Sequence, residues 1–358
     1  PHRKVRRPYS KEEKGGTPSP MLKTTIKRLL QALLVLIGLS IMIFTLMRII
    51  PGDPARLALG PSAPEEVVEA YREKMHYNDP YIKQYFYWLQ GVLKGDFGMS
   101  NVTQRNVTTD MKEFLPATLE LVIWAGFPPI LLSLLLGVLG AMYKNRPIDY
   151  IIRFTSYAII ATPTFVLAAL LLLVFGYWIP ILPSIGGRLT YGITVNNITG
   201  LVILDSLLQG QFSAAGDAFM HILLPALALS LGHCTQEARL TRSYMLENTE
   251  KDYIVMMESQ GIPKGLINRK FLLKPSVIPT VSITGLDIAN IFGNAFLVET
   301  IFNWPGISRY CMSAILSKDI NAVCGVVLVL GSVFVITNMI VDIVVMILDP
   351  RMRQSRSK

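Results

Sequence analysis

Charge is scarce in this chain: Asp, Glu, Lys and Arg together make 16% of its 358 residues, against roughly a quarter in ordinary soluble domains. Histidine and cysteine are scarcer, at four and three residues. Cys234, Cys311 and Cys324 are isolated, with no C-x-x-C and no run of nearby histidines. That pattern excludes a disulfide framework and a zinc site, and leaves the three to pack as small apolar side chains. There is no G-x-x-x-x-G-K-[ST] phosphate loop, no H-E-x-x-H and no G-x-S-x-G. The constellations that would mark a nucleotide hydrolase, a metalloprotease or a serine hydrolase are therefore missing.

What the chain has instead is apolar residues, 51% of the total, gathered into long blocks. Crossing a hydrocarbon core of about 30 Å takes about 20 apolar residues in a helix. Leu29–Ile50 meets this, and Pro116–Met142, Tyr150–Trp178, Ala218–Gln236, Val277–Val298 and Ala322–Leu348 follow, the fourth and fifth carrying more polar residues. An all-α integral membrane protein with about six transmembrane helices is expected. The first block is too long for a signal-peptide core and lacks an A-x-A site. Residues 1–20, rich in Lys, Arg, Pro and Gly, read as a disordered basic tail or an expression remnant.

Positive charge sorts with alternate loops, as the cytoplasmic bias of Lys and Arg requires. One side carries Lys23, Lys27 and Arg28, then Lys144, Arg146 and Arg153, then seven basic residues between Arg239 and Lys274, then Arg351 and Arg353. On the other side, 179–217 holds only Arg188, while 51–115 mixes both signs. Both termini are expected in the cytoplasm. The net charge of +9 follows from this topology and not from a nucleic-acid face. The resulting plan is a first span at 21–50, an extracytoplasmic segment at 51–115, a membrane core at 116–348 and a tail at 349–358.

In the extracytoplasmic segment, Ser62-Ala63-Pro64-Glu65-Glu66 predicts a helix start capped by Ser62. Tyr81–Leu93, with Tyr85, Trp88, Leu89 and Val92 on one face, predicts a short helix whose aromatics suit the headgroup level. Inside the spans, Glu120, Asp287 and Asp342 are ionisable and costly unless paired. They are candidates for a pathway or for structural polar contacts, and in a proton-coupled carrier they would be the relay. Such carriers usually show internal repeats, and none is evident. Pro128, Pro129, Pro163 and Pro225 predict kinks. The basic loop 239–279 predicts a helix from Lys251 to Gln260, stopped by Gly261 and then Pro263. Held between two spans, such a helix is a lever.

At this loop the chain resembles a family. Asp252-Tyr253-Ile254, then Gly261, then Pro279, resembles the EAA loop of permease subunits of binding-protein-dependent ABC importers. Ile50-Pro51-Gly52-Asp53-Pro54, Gly95 to Ser100, Ala117 to Leu121, Thr241 to Glu247, Glu299 to Gly306, Val341-Asp342 and Asp349-Pro350-Arg351 follow in order. Together they resemble the B-type subunit of the dipeptide, oligopeptide and nickel permeases over about 21–353. Where the EAA signature carries small alanines, this chain has Met257, Glu258, Ser259 and Gln260. The resemblance implies a type I importer of the bacterial inner membrane, with a homologous second permease, two ATPase subunits and an extracytoplasmic solute-binding protein. It implies no cofactor and no catalysis in this chain, ATP and Mg being bound by the partners. Asp252, Tyr253, Ile254, Met257, Glu258, Gly261 and Pro263 would form the ATPase-coupling surface, and peptides are the implied cargo.

Overall fold

The computed structural model describes residues 20–49, 53–60, 62–74, 76–184 and 186–348. The expected tail at 1–19, the tail at 349–358 and the Ile50-Pro51-Gly52 stretch lie outside the described residues. No strand occurs among those described. The helices are α1 (Pro20–Ile49), α2 (Pro54–Leu59), α3 (Glu65–Lys74), α4 (Tyr81–Leu93), α5 (Val107–Met142), α6 (Pro147–Ala161), α7 (Thr164–Leu171), α8 (Val202–Leu208), α9 (Phe212–Thr249), α10 (Asp252–Ser259), α11 (Lys264–Leu266), α12 (Leu273–Ile301), α13 (Ile307–Leu316) and α14 (Ile320–Leu348). π-helical turns at Leu172–Trp178 and Ile267–Leu272 extend α7 and lead into α12.

Four of these, α1, α5, α9 and α14, are long and apolar enough to cross a membrane, and α6 with α7 makes a fifth if the bent pair is one span. α12 covers the remaining expected block, Val277–Val298, and its 29 residues would reach about 43 Å at 1.5 Å per residue. It is not among the helices apolar enough to cross by composition, so the described residues give four or five such spans against the six expected.

The expected third span, Tyr150–Trp178, is not one straight helix: α6 and α7 meet at 111°. Pro163 causes this. Its ring disfavours the helical region at the preceding residue, and Thr162 is extended at φ −95°, ψ 125°. The Thr162 hydroxyl donates to the Ala158 carbonyl at 2.7 Å, so one freed acceptor is satisfied. Pro128, Pro129 and Pro225 instead stay inside the continuous helices α5 and α9.

The core forms around α9. Leu224, Ala228 and Leu229 of α9 pack with Leu121 and Ala125 of α5 and Ile291 and Ala295 of α12. Small residues bring the axes together: a Cβ on Gly137 would stand 2.5 Å from the Thr241 Cβ. Connecting segments gather at two opposite ends of this bundle. At one, Ser100 donates to Asp319 at 2.6 Å and the Trp304 indole donates to the Ala117 carbonyl at 3.0 Å. At the other, Arg242 donates twice to Asp149, at 2.7 and 2.8 Å. The two ends match the two sides assigned by the basic residues.

The segment before α5 caps the first end. α3 begins at Glu65, so Pro64 and not Ser62 stands at its cap, with the Pro64 carbonyl accepting from Val67 and Val68. Proline removes the donor at a position that has no partner in any helix. Asp53 caps α2 through the Ala55 N–H at 3.0 Å. The Arg72 guanidinium, 2.6 Å away, holds the Asp53 carboxyl below the usual carboxylate range. α4 lies against the outer end of α1, with Phe44 against Tyr85 and Trp88 at 5.4 and 5.8 Å between centroids. Asn106 caps α5 through the Thr108 N–H at 2.8 Å.

Candidate functional site at the α9–α12 connector

The expected loop 239–279 is mostly helix. α9 runs out of the bundle to Thr249 and α12 begins at Leu273, which leaves short breaks around α10 and α11. α10 ends by satisfying two carbonyls: the Ile262 N–H donates to Met257 at 3.1 Å and the Gly261 N–H to Glu258 at 3.0 Å. This pair of bonds is the Schellman closure, and it needs a residue in the left-handed region. Gly261 supplies that with φ +75°.

The inner face of α10 is anchored by Ile254, which is buried with Met245, Ile267 and Leu272, while Met257 and Ile262 pack at the edge. Asp252, Tyr253, Val255, Met256, Glu258, Gly261 and Pro263 are exposed. Val255 and Met256, 57% and 54% exposed, present an apolar patch beyond the bundle. The structure thus divides the sequence-selected residues: Ile254 and, in part, Met257 hold the helix down, and the others face out.

Beneath this connector, α9 and α12 are joined by polar contacts along the seam. The Asn248 amide donates to Ser276 at 3.1 Å, the Thr241 and Thr280 hydroxyls lie 2.8 Å apart, and Thr284 donates to Glu237 at 2.8 Å. At the inner end, His233 Nδ1 stands 3.4 Å from Asp287 Oδ1. The rungs recur every three to four residues on α12 and every four or seven on α9, spacings at which side chains return to one face.

Asp287 is a candidate from the sequence, and a histidine near the bilayer such as His233 is expected to bond between helices; Glu237 is not among the sequence candidates. Glu237 is fully buried, and its Oε1, Asp287 Oδ2 and Ser133 Oγ have no hydrogen-bond partner among the described residues. A cue was present in the sequence, since Glu237 continues the α9 face of His233 and Thr241.

Glu120 is placed far from this cluster. It pairs with Arg188 and accepts the Ile203 N–H at 2.7 Å, fastening α5 to the 179–201 segment and α8. Asp342 lies in α14 with its side chain outside the described residues. Glu120 and Asp287 share no hydrogen-bond or ion-pair partner among the described residues.

The other motifs are fasteners too. Glu299, fully buried, accepts the Thr118 hydroxyl at 2.5 Å and the N–H groups of Ser308 and Arg309 at 2.9 and 3.1 Å. A carboxylate is favourable at the N-terminus of α13, where free N–H groups and the helix dipole converge. Gly306 is required there because a Cβ would lie 2.3 Å from the Glu299 Cδ.

Comparison with known proteins agrees with this plan. Residues 133–354 match the family described as binding-protein-dependent transport system inner membrane component, and 21–122 match its N-terminal membrane component. The dipeptide transport system permease protein of Alkalihalophilus pseudofirmus is 34% identical over 333 residues, 93% of this chain and 100% of that protein. The probable D,D-dipeptide transport system permease protein of Escherichia coli K12 is 34% identical over 89% of this chain and 94% of its own length. The glutathione transport system permease protein of the same strain is 27% identical over 93% of this chain and 99% of its own length. The chain belongs to the inner-membrane components of binding-protein-dependent transport systems, as a multi-pass permease subunit of an ABC importer.

Proposed function

We propose that the chain forms half of the translocation pathway for short peptides, beside a homologous second permease, and that α10 receives force from one of two ATPase subunits. An extracytoplasmic solute-binding protein would deliver the cargo. Peptides are favoured because the relatives above are named for dipeptides and glutathione.

One observation carries the mechanical part. α10 shows an exposed apolar patch at Val255 and Met256 while Ile254 pins it to the foot of α9 and α12. A short helix seated this way transmits a push to both membrane helices. Glu237, Thr284 and their neighbours contribute by holding the two helices in register.

The test is a complex reconstituted with its ATPases and binding protein. Met256→Asp places a charge where an apolar groove would have to desolvate it, at a cost of a few kcal/mol. The ATPases are expected to fall away on copurification while the permease still inserts. Retention of the ATPases with full peptide uptake would refute the docking role of α10.

A further inference from the structure

The outward faces of the membrane helices differ in kind. α1 exposes Leu29, Leu30, Leu33 and Leu34, and α5 exposes Ile123, Phe127, Leu131 and Leu135. Hydrocarbon accepts both faces. α12 exposes Asn290, Gly293, Asn294, Leu297 and Thr300, positions that lie on one stripe of a helix. The stripe runs over eleven residues, 290–300, a rise of about 15 Å, or about half of a hydrocarbon core.

Thr300 satisfies itself on the Phe296 carbonyl at 3.0 Å. Asn294 has no hydrogen-bond partner among the described residues, and an amide side chain left unpaired in lipid is costly. The stripe also does not end cleanly. Asn290 Nδ2 stands 3.3 Å from Asp287 Oδ1, and His233 adjoins the same oxygen. Asp287 is 8% exposed, yet its Oδ2 has no donor. Glu237 of α9 is the other carboxyl against Asp287, and its Oε1 also lacks a partner among the described residues. A buried carboxyl pair at the end of a polar stripe calls for a shared proton, water or a cation.

We propose that the Asn290–Gly293–Asn294–Thr300 stripe is a water-facing wall of the pathway, and that Asp287 at its inner end takes the ammonium terminus of a passing peptide. This rests on the peptide-importer reading. The asparagine amides, with both donors and an acceptor, match the main-chain amides that all peptides share. Gly293, lacking a side chain, leaves room for a backbone to approach. Such a wall binds weakly and without regard to side chains, as a pathway needs if cargo is to leave it.

The experiment uses the assembled complex in nanodiscs. The native cysteines Cys234, Cys311 and Cys324 are buried and give a quiet background for Asn294→Cys, Thr300→Cys and the apolar-face control Leu131→Cys. A cationic methanethiosulfonate reagent reacts with the thiolate, which water favours. It is expected to label positions 294 and 300 at least about tenfold faster than 131, a modest contrast for a thiolate moved from water to hydrocarbon. Equal rates would place the stripe against lipid, and unreactive cysteines that cross-link to the second permease would make it a subunit seam. Either result overturns the proposal.

A second measurement addresses Asp287. Asp287→Asn removes a charge-assisted bond and is expected to slow uptake of a free-amino dipeptide by about tenfold relative to its N-acetylated form. Equal slowing of both would remove the ammonium role. Fast labelling of the 294 and 300 cysteine variants, with a wild-type complex that moves no dipeptide, would strike the cargo reading and leave the wet wall standing.

Discussion

Gly261 stands at φ +75°, and a Cβ there would meet nothing within 4 Å. Space is therefore not what demands glycine; backbone conformation and the surface beyond it are. Asn and Asp tolerate the left-handed region better than other side chains, so the two substitutions separate shape from charge. Gly261→Asn should keep most ATP-driven uptake. Gly261→Asp places a carboxylate at the negative end of α10, unfavourable by about 0.3–1 kcal/mol, and on the face offered to the ATPase. Its uptake is expected to fall at least about tenfold with membrane insertion unchanged, the loss that a desolvated, unpaired charge would impose on docking; normal uptake would disconnect Gly261 from coupling. Gly306 is the opposite case, an ordinary extended conformation at φ −99° with Glu299 filling the space a methyl would need. Gly306→Ala should cost about 1–3 kcal/mol by overpacking, read as a lower unfolding temperature of the detergent-solubilised complex. The sequence made the Gly261 stop legible because glycine after an amphipathic run has a local cause. It could not show what Glu237 and Glu299 do, because their partners lie 47 and 181 residues away in Thr284 and Thr118.

At the scale of helices, what a proline does depends on what holds its neighbours. Pro128, Pro129 and Pro225 lie where α5 and α9 pack on each other, and Pro129 and Pro225 are themselves buried. Packing of this kind keeps a helix running through a proline. Around Pro163 the α6 side chains Ile151, Phe154 and Tyr157 are exposed, so local stereochemistry decides and the chain turns. Apolar blocks alone could not distinguish the two cases, since Tyr150–Trp178 is as apolar as its neighbours. The same limit applies to loop 239–279, where α9 extends past its apolar part to Thr249 on the strength of contacts a hydropathy pattern cannot register. One of these is the Arg242–Asp149 pair, bidentate, with the Asp149 side chain fully buried. Removing one member leaves the other charge buried and uncompensated, a loss of about 3–5 kcal/mol. Arg242→Ala is expected to show this in thermal unfolding, and Arg242→Lys should recover only part, because an ammonium cannot reproduce the two parallel bonds. Full recovery by lysine would mean that the fork geometry is immaterial.

For the whole molecule, the question is which helices travel together when force arrives at α10. The contacts from Asn248–Ser276 through Thr241–Thr280 to His233–Asp287 run from the connector deep into the bundle. Sliding α9 past α12 would break all of them at once and expose polar groups to an apolar surround, each at a cost of about 1–3 kcal/mol. Tilting the two helices as one body breaks none. Replacing Thr241 and Thr280 by cysteine tests this directly, since their hydroxyls are 2.8 Å apart and the separation of the helices there is close to what a disulfide spans. Gly137 packs on Thr241 with no room to spare, but a thiol is smaller than the threonine side chain it replaces, so the variant should assemble. If α9 and α12 form a single lever, oxidising the pair leaves ATP-driven uptake within about twofold of the reduced complex, because the bond only reinforces a contact that polar pairing already holds. If uptake collapses on oxidation and returns on reduction, the helices must slide past one another in the cycle, and the seam would be a track and not a strut.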